Sequence, residues 1–206
     1  MTGAAPFDLV VFLHGVGATG GSLARLGPIW RRRLPGLVFA GPDGPQPFDR
    51  GESGRQWYSV LGITAETRVA RVAAAAPAFD AIVDAAIAAH GGSAERTVLV
   101  GFSQGTIMAL DAVARGRRFA GVIGYAGRLV RPPRGRLDGL PIRLVHGEAD
   151  AVIAVGESEA ARERLAAAGA RVDLVRFPGE GHGIGIAATA AGGDFLRSLA
   201  GAPVDI

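Results

Sequence analysis

The segment Leu99-Val100-Gly101-Phe102-Ser103-Gln104-Gly105 carries a Gly-x-Ser-x-Gly pattern at the end of a short apolar run, Thr97-Val98-Leu99-Val100. Thr106-Ile107-Met108-Ala109-Leu110 follows at once and has helical character. Strand, tight turn and helix is the setting in which such a serine is lifted above a sheet as a nucleophile. A Cβ at position 101 or 105 would clash where strand and helix crowd together, so both positions favour glycine. With 32 glycines in the chain the pattern alone is cheap. The elements on either side of it carry the argument.

A serine hydroxyl is a weak nucleophile until a base takes its proton, and that base must be held in one tautomer by a third group. The chain offers four histidines. His90 precedes Gly91-Gly92 and reads as a solvated helix cap. His14 and His146 each end a strand and each precede glycine. His182 lies in Phe177-Pro178-Gly179-Glu180-Gly181-His182-Gly183, a loop able to reach over the strand ends, and is the best base. The bland reading of His182 is a satisfied loop histidine.

His146-Gly147-Glu148-Ala149-Asp150 supplies two acids after another strand. Asp150 is preferred to Glu148 because it lies deeper in the turn, ahead of Ala151-Val152-Ile153; its bland reading is a turn cap. Ser103, Asp150 and His182 then occur in the order nucleophile, acid, base. Asp173 falls within a strand and Asp194 opens a helix, both structural positions. A developing oxyanion needs two preorganised donors. The backbone N–H of Gln104 is one, and the N–H of Val16, in Leu13-His14-Gly15-Val16-Gly17, is the other.

These residues need a scaffold that brings distant strand ends together. Strands are predicted at Asp8–Leu13, Leu37–Ala40, Thr97–Gly101, Ala120–Tyr125, Ile142–His146 and Val172–Phe177. Their nearly continuous apolar character suits a buried parallel sheet. Helices are predicted at Gly21–Arg33, Glu66–His90 (broken or bent near Pro77), Gln104–Arg115, Val155–Ala168 and Thr189–Leu199. Alternation of the two predicts an α/β class: one doubly wound, mostly parallel sheet with helices on both faces. A single domain over 1–206 is expected, with short flexible ends at about 1–7 and 201–206. Two irregular stretches, Gly41–Gly62 and Gly127–Pro141, interrupt the rhythm; loops of that length are often functional.

Composition excludes several classes. The chain has 206 residues, is 49% hydrophobic and 20% charged, and has positive mean hydropathy, so disorder is not expected. No run approaches eighteen apolar residues, and the first residues look like neither a span nor a leader; stable membrane insertion is not expected. With no cysteine there is no disulfide, thiolate zinc site or cysteine nucleophile. A cytoplasmic location is the default. All 22 basic residues are arginine, which removes any lysine base, Schiff base or P-loop lysine. Arg31-Arg32-Arg33, Arg115/Arg117/Arg118 and Arg131/Arg134/Arg136 lack interleaved aromatics and read as solvated surface rather than nucleic-acid contacts. The histidines show no metal-ligand spacing, so no metal is expected.

One rival pattern is formal. Gly15-Val16-Gly17-Ala18-Thr19-Gly20 matches Gly-x-Gly-x-x-Gly after a strand, with Asp43 roughly 20 residues beyond, as a dinucleotide site would have. Asp43 sits in the turn Gly41-Pro42-Asp43-Gly44-Pro45 rather than at a strand end, and this reading leaves Ser103, Asp150 and His182 idle. A second alternative is an idle scaffold used for binding, which would have no need of those three residue types.

From about Val10 to Leu199 the chain resembles the phospholipase/carboxylesterase family of α/β-hydrolases, which includes the acyl-protein thioesterases. The resemblance rests on Leu13-His14-Gly15-Val16-Gly17, on Gly54-Arg55-Gln56-Trp57-Tyr58 in its bacterial form, on Gly101-Phe102-Ser103-Gln104-Gly105, on His146-Gly147-Glu148-Ala149-Asp150 and on Gly181-His182. It implies the α/β-hydrolase fold and cofactor-free serine hydrolysis of a small-molecule ester or thioester, with or without an acyl chain. It also implies Val16 and Gln104 as backbone oxyanion donors. Departures are Ser59 after Tyr58, Ala151 after Asp150, and the apolar, flexible-looking Gly183-Ile184-Gly185-Ile186. Trp57, Tyr58, Leu61, Ile63 and Ile153 could line an acyl groove, though core packing is the better reading.

Overall fold

The computed structural model describes residues 6–201. In chain order its elements are β1 (Leu9–Leu13), α1 (Gly20–Ala24), α2 (Leu26–Arg31), β2 (Val38–Ala40), β3 (Gln46–Pro47), β4 (Arg55–Gln56), α3 (Ala65–Ala89), β5 (Thr97–Phe102), α4 (Gln104–Ala114), β6 (Gly121–Tyr125), β7 (Pro141–Gly147), α5 (Gly156–Ala167), β8 (Arg171–Phe177) and α6 (Ile186–Leu199). Six strands form one sheet in the order β2-β1-β5-β6-β7-β8, and every pairing in it is parallel.

The inner strands β1, β5 and β6 are buried nearly throughout because both faces are covered, whereas the edge strand β8 exposes Arg171, Asp173 and Arg176. Along β1, Leu9, Val11 and Leu13 join one core with α3, α4 and α5. Val10 and Phe12 point the other way and join a second core with α1, α2 and α6. The period of two along a strand thus divides one sequence run between two layers. Phe7 lies in the second core and is 1% exposed, so the expected flexible N-terminal end does not extend to it. The rest of that expectation, at 1–5 and 202–206, lies outside the described residues.

Three further expectations are corrected. The predicted helix 21–33 is two helices. Pro28 has no N–H to offer the carbonyl of Ala24, and its ring would press on that carbonyl, so the first helix ends there. Conversely, α3 runs unbroken through Pro77. Ala73 and Pro77 are both exposed, so the carbonyl freed by the proline is on the water side. Val72, Ala75, Ala76, Phe79, Val83 and Ile87 anchor the opposite face on either side of it. The helix is long and apolar enough by length and composition to cross a bilayer, against the expectation that no run approaches that length. In this fold that face is committed to the core. Finally, α6 begins at Ile186, three residues before the predicted start, so the segment read as flexible is partly its first turn.

Candidate active site

Ser103 occupies the step from β5 to α4 at φ 51, ψ −112, a conformation that costs a non-glycine residue about 1–3 kcal/mol. Its surroundings hold it there. Ser103 N–H donates to the carbonyl of Tyr125 on β6 at 2.9 Å. A Cβ at Gly101 would collide with the backbone nitrogen of Thr106, and one at Gly105 would collide with the carbonyl oxygen of Leu13. The second clash is with β1 rather than β5: the helix after the serine lies directly against the strand that feeds the 14–17 loop.

The structure brings Ser103, His182 and Asp150 into one hydrogen-bonded line. Ser103 Oγ lies 3.0 Å from His182 Nε2, and His182 Nδ1 lies 2.7 Å from Asp150 Oδ2. A carboxylate accepts, so Nδ1 carries the proton and Nε2 is left to receive the one on Ser103. Asp150 Oδ1 accepts from the N–H groups of Val152 and Ile153, both at 2.8 Å. Burial alone would raise the Asp150 pKa; those two N–H groups and the His182 ring outweigh it and hold the carboxyl below its ordinary range. The His182 ring packs on Phe102, with centroids 5.0 Å apart. Glu148, the acid set aside, pairs instead with Arg176 at 3.7 Å.

A second histidine supports the acid. His146 Nε2 lies 2.8 Å from the carbonyl of Ile153 and 3.2 Å from Asp150 Oδ2. The carbonyl can only accept, so Nε2 is protonated and Ser158 Oγ, 2.7 Å from Nδ1, serves the other nitrogen. Sequence reasoning gave His146 no role beyond ending a strand. Its signal was the His-x-x-x-Asp spacing to Asp150.

His182 reaches the serine because its loop lies hard against the end of β7. Ala149 N–H donates to the carbonyl of Glu180 at 2.9 Å. A Cβ at Gly147 would collide with that same carbonyl.

On the opposite side, Gly15 abuts Phe102 and Ser103, where an added Cβ would stand 2.8 Å from the Phe102 ring and 3.5 Å from Ser103 Cβ. Among the described residues the N–H groups of Val16 and Gln104 have no hydrogen-bond acceptor, whereas Gly17 N–H donates to the carbonyl of Arg55 and Ala18 N–H to that of Gly15. His14 accepts from Gly44 N–H through Nε2 at 2.8 Å and lies 2.7 Å from its neighbour's carbonyl through Nδ1. Burial lowers the His14 pKa, which matches an accepting, neutral ring.

The Gln104 side chain does something the motif does not reveal. Its Oε1 accepts from Trp57 N–H at 2.8 Å and its Nε2 donates to the carbonyl of Tyr58 at 2.8 Å. Both ends of one buried amide therefore pin the 41–62 segment to the start of α4. Trp57 Nε1–H adds a bond to the carbonyl of His14 at 2.9 Å. Of the residues offered for a groove, Trp57, Tyr58 and Ile153 are buried core, Ile63 packs against that core, and Leu61 is 48% exposed.

The dinucleotide pattern is occupied by the protein itself. Asp43 Oδ1 accepts from Gly20 N–H at 2.7 Å, and a Cβ at Gly20 would collide with the carbonyl of Gly41. The helix end where a pyrophosphate would lie is covered. The arginine clusters are also partly used internally. Asp111, fully buried, pairs with Arg115 at 2.9 Å and Arg131 at 2.5 Å. Arg115 forks onto Asp80 at 2.7 and 2.8 Å, and Arg117 joins Asp80 and Asp84.

Comparison with known proteins places this site in context. The family described as Phospholipase/Carboxylesterase matches residues 3–198. Esterase YpfH of Escherichia coli (strain K12) is 35% identical over 178 residues, covering 86% of this chain and 76% of that protein. An acyl-protein thioesterase 1 of Neurospora crassa is 28% identical, covering 91% of this chain and 84% of its own length. Among solved structures, esterase PE8 superposes with a TM-score of 0.86 at 32% identity, covering 96% of this chain and 94% of that one.

Proposed function

The chain belongs to the phospholipase/carboxylesterase family of α/β-hydrolases, and from that premise we propose that it cleaves carboxylic esters or thioesters through Ser103, His182 and Asp150. The observation that carries the reading is the unbroken line from Asp150 through His182 to Ser103, at 2.7 and 3.0 Å. Ser103 Oγ attacks the carbonyl carbon as its proton passes to His182 Nε2. Asp150 keeps the imidazole in place and offsets its positive charge. The carbonyl oxygen becomes an oxyanion, received by the N–H groups of Val16 and Gln104, each such donor being worth about two to three powers of ten in rate. The proton on His182 passes to the departing alcohol or thiol. Water, deprotonated by His182, then attacks the acyl-serine, and the carboxylic acid leaves as Ser103 is restored.

The test is hydrolysis of 4-nitrophenyl esters, from acetate to palmitate, by the wild-type protein and Ser103→Ala in parallel. Activity confined to the wild type is the expected result, and the chain-length profile sizes the acyl site. A mutant that keeps the wild-type rate would overturn the assignment of the nucleophile. Labelling of Ser103 by a fluorophosphonate separates an enzyme from an idle scaffold even where no ester in the series is turned over.

A further inference from the structure

The loop that leaves β6 delivers an arginine to the same rim as the serine. Tyr125 gives its carbonyl to Ser103 N–H, and the next residue, Ala126, turns at φ 46 while its N–H donates to Val145. Gly127 then lies against Thr106, in the first turn of α4, with its carbonyl 3.3 Å from Ser158 Oγ. Arg128 is the next residue along the chain, three beyond the Tyr125 whose carbonyl holds Ser103 N–H. Its charge acts on Tyr58, whose carbonyl is held by Gln104, and it is itself acted on by Asp150.

This arginine is poorly satisfied. Its side chain is 16% exposed, and its one ion pair among the described residues is with the 40% exposed Glu157 at 3.1 Å. Its Nε–H is buried with no hydrogen-bond partner among the described residues. A buried donor left without an acceptor is costly, and a charged one more so. A second arginine acts on it: the side chain of half-buried Arg68 makes no hydrogen bond or ion pair among the described residues, and its field reaches Arg128, Tyr58 and Glu66. Burial, joined by the repulsion of Arg68, lowers the Arg128 pKa against the pull of Glu157, Tyr58 and Asp150. Arg128 thus has the exposed Glu157 as its ion-pair partner, since Asp150 already serves His182 and the N–H groups of Val152 and Ile153, while Arg68 acts on Glu66 without an ion pair among the described residues. Arginine presents a planar fork suited to an oxyacid.

We propose that Arg128, assisted by Arg68, is an anion-recognising subsite beside Ser103, and that preferred substrates carry a second anionic oxyacid group, a carboxylate or a phosphate, besides the scissile ester or thioester. This rests on the hydrolase reading above. Arg128 acts here on substrate choice, through binding and orientation, while the reacting bond is handled by Ser103.

The experiment compares kcat/KM for 4-nitrophenyl hexanoate, mono-4-nitrophenyl adipate and 4-nitrophenyl 5-phosphonopentanoate. The wild type favours one or both anionic esters over the hexanoate, and the better of the two identifies carboxylate or phosphate as the group read. In Arg128→Gln the anionic-to-neutral ratio falls about tenfold or more, the loss of one charge-assisted hydrogen bond. In Arg68→Gln it falls about threefold, and in Glu157→Gln, which releases Arg128, it rises. A purely structural Arg128 would lower all three substrates alike and leave the ratio at its wild-type value, and that result overturns the subsite. If Arg128→Gln does not fold, the Arg68→Gln ratio decides in the same way. Calorimetric titration of adipate and inorganic phosphate into Ser103→Ala, with and without Arg128→Gln, reads the subsite without turnover. Binding that depends on Arg128 supports it even if no ester is cleaved, whereas hexanoate hydrolysis with no anion binding sinks the subsite alone.

Discussion

Replacing Gln104 by alanine isolates what its side chain does, because the backbone N–H assigned to the oxyanion is retained. Two buried bonds vanish, one from Trp57 N–H and one to the carbonyl of Tyr58, each 2.8 Å long. Both partners lie in buried residues, Trp57 1% and Tyr58 4% exposed, so neither regains water without the segment moving. Leaving a buried polar group unpaired costs about 1–3 kcal/mol, so the pair predicts a loss of about 2–6 kcal/mol. That is a large share of the 5–15 kcal/mol typical of a folded domain. Urea unfolding followed by fluorescence measures it, with Trp57 itself as a reporter. Gln104→Glu sharpens the test. It keeps an acceptor for Trp57 N–H but sets a carboxylate oxygen against the Tyr58 carbonyl, so it destabilises at least as much as alanine. Ester hydrolysis falls about 10- to 100-fold in the alanine variant, as the 57–58 segment drifts from the 14–17 loop it holds through His14. A loss below about 1 kcal/mol would refute the clamp.

Gly147→Ala leaves the protein folded, but its Cβ strikes the Glu180 carbonyl and so displaces the His182 loop; a misplacement of about 1 Å lowers kcat/KM about 100-fold, and unchanged kinetics would show that the loop gives way freely. Asp111→Asn strips the charge from a buried carboxylate shared by Arg115 and Arg131 and costs about 3–5 kcal/mol in denaturant unfolding; a loss under about 1 kcal/mol would reduce that network to surface decoration. The His14 pKa is lowered by burial, so its contribution to stability is complete above the unfolded value of 6.5 and is lost as pH falls through the lower folded one. Unfolding free energy should therefore drop from pH 7.5 to pH 5.5 by less in His14→Gln than in the wild type, and equal drops would assign the effect to other groups.

Much of the site was legible because its signals are local. The Ser103 step is written in seven consecutive residues, where glycine on each side answers a backbone clash. Strand runs were legible because a sheet covered on both faces must be apolar at nearly every position, as Leu9–Leu13 are. The order Ser103, Asp150, His182 singled out the residues that the fold then brought within hydrogen-bonding distance.

Other features exist only once distant segments meet. The Gln104 amide meets carbonyl and N–H groups 46 and 47 residues away in sequence. No local pattern marks an amide as a clamp. Asp43 met Gly20 as a cap, although spacing alone allowed it a ribose. His146 became a support for Asp150 because the Ile153 carbonyl and Ser158 fixed its ring. Helix limits moved for related reasons: Pro28 ended a helix near its start, whereas Pro77 did not, because buried residues on both sides of it hold the helix to the core. Sequence by itself determined which chemistry the chain could carry and which runs must be buried, since those follow from residue type and spacing. Tertiary structure decided which polar group satisfies which, since a hydrogen bond is set by where packing delivers two chain segments rather than by either segment alone.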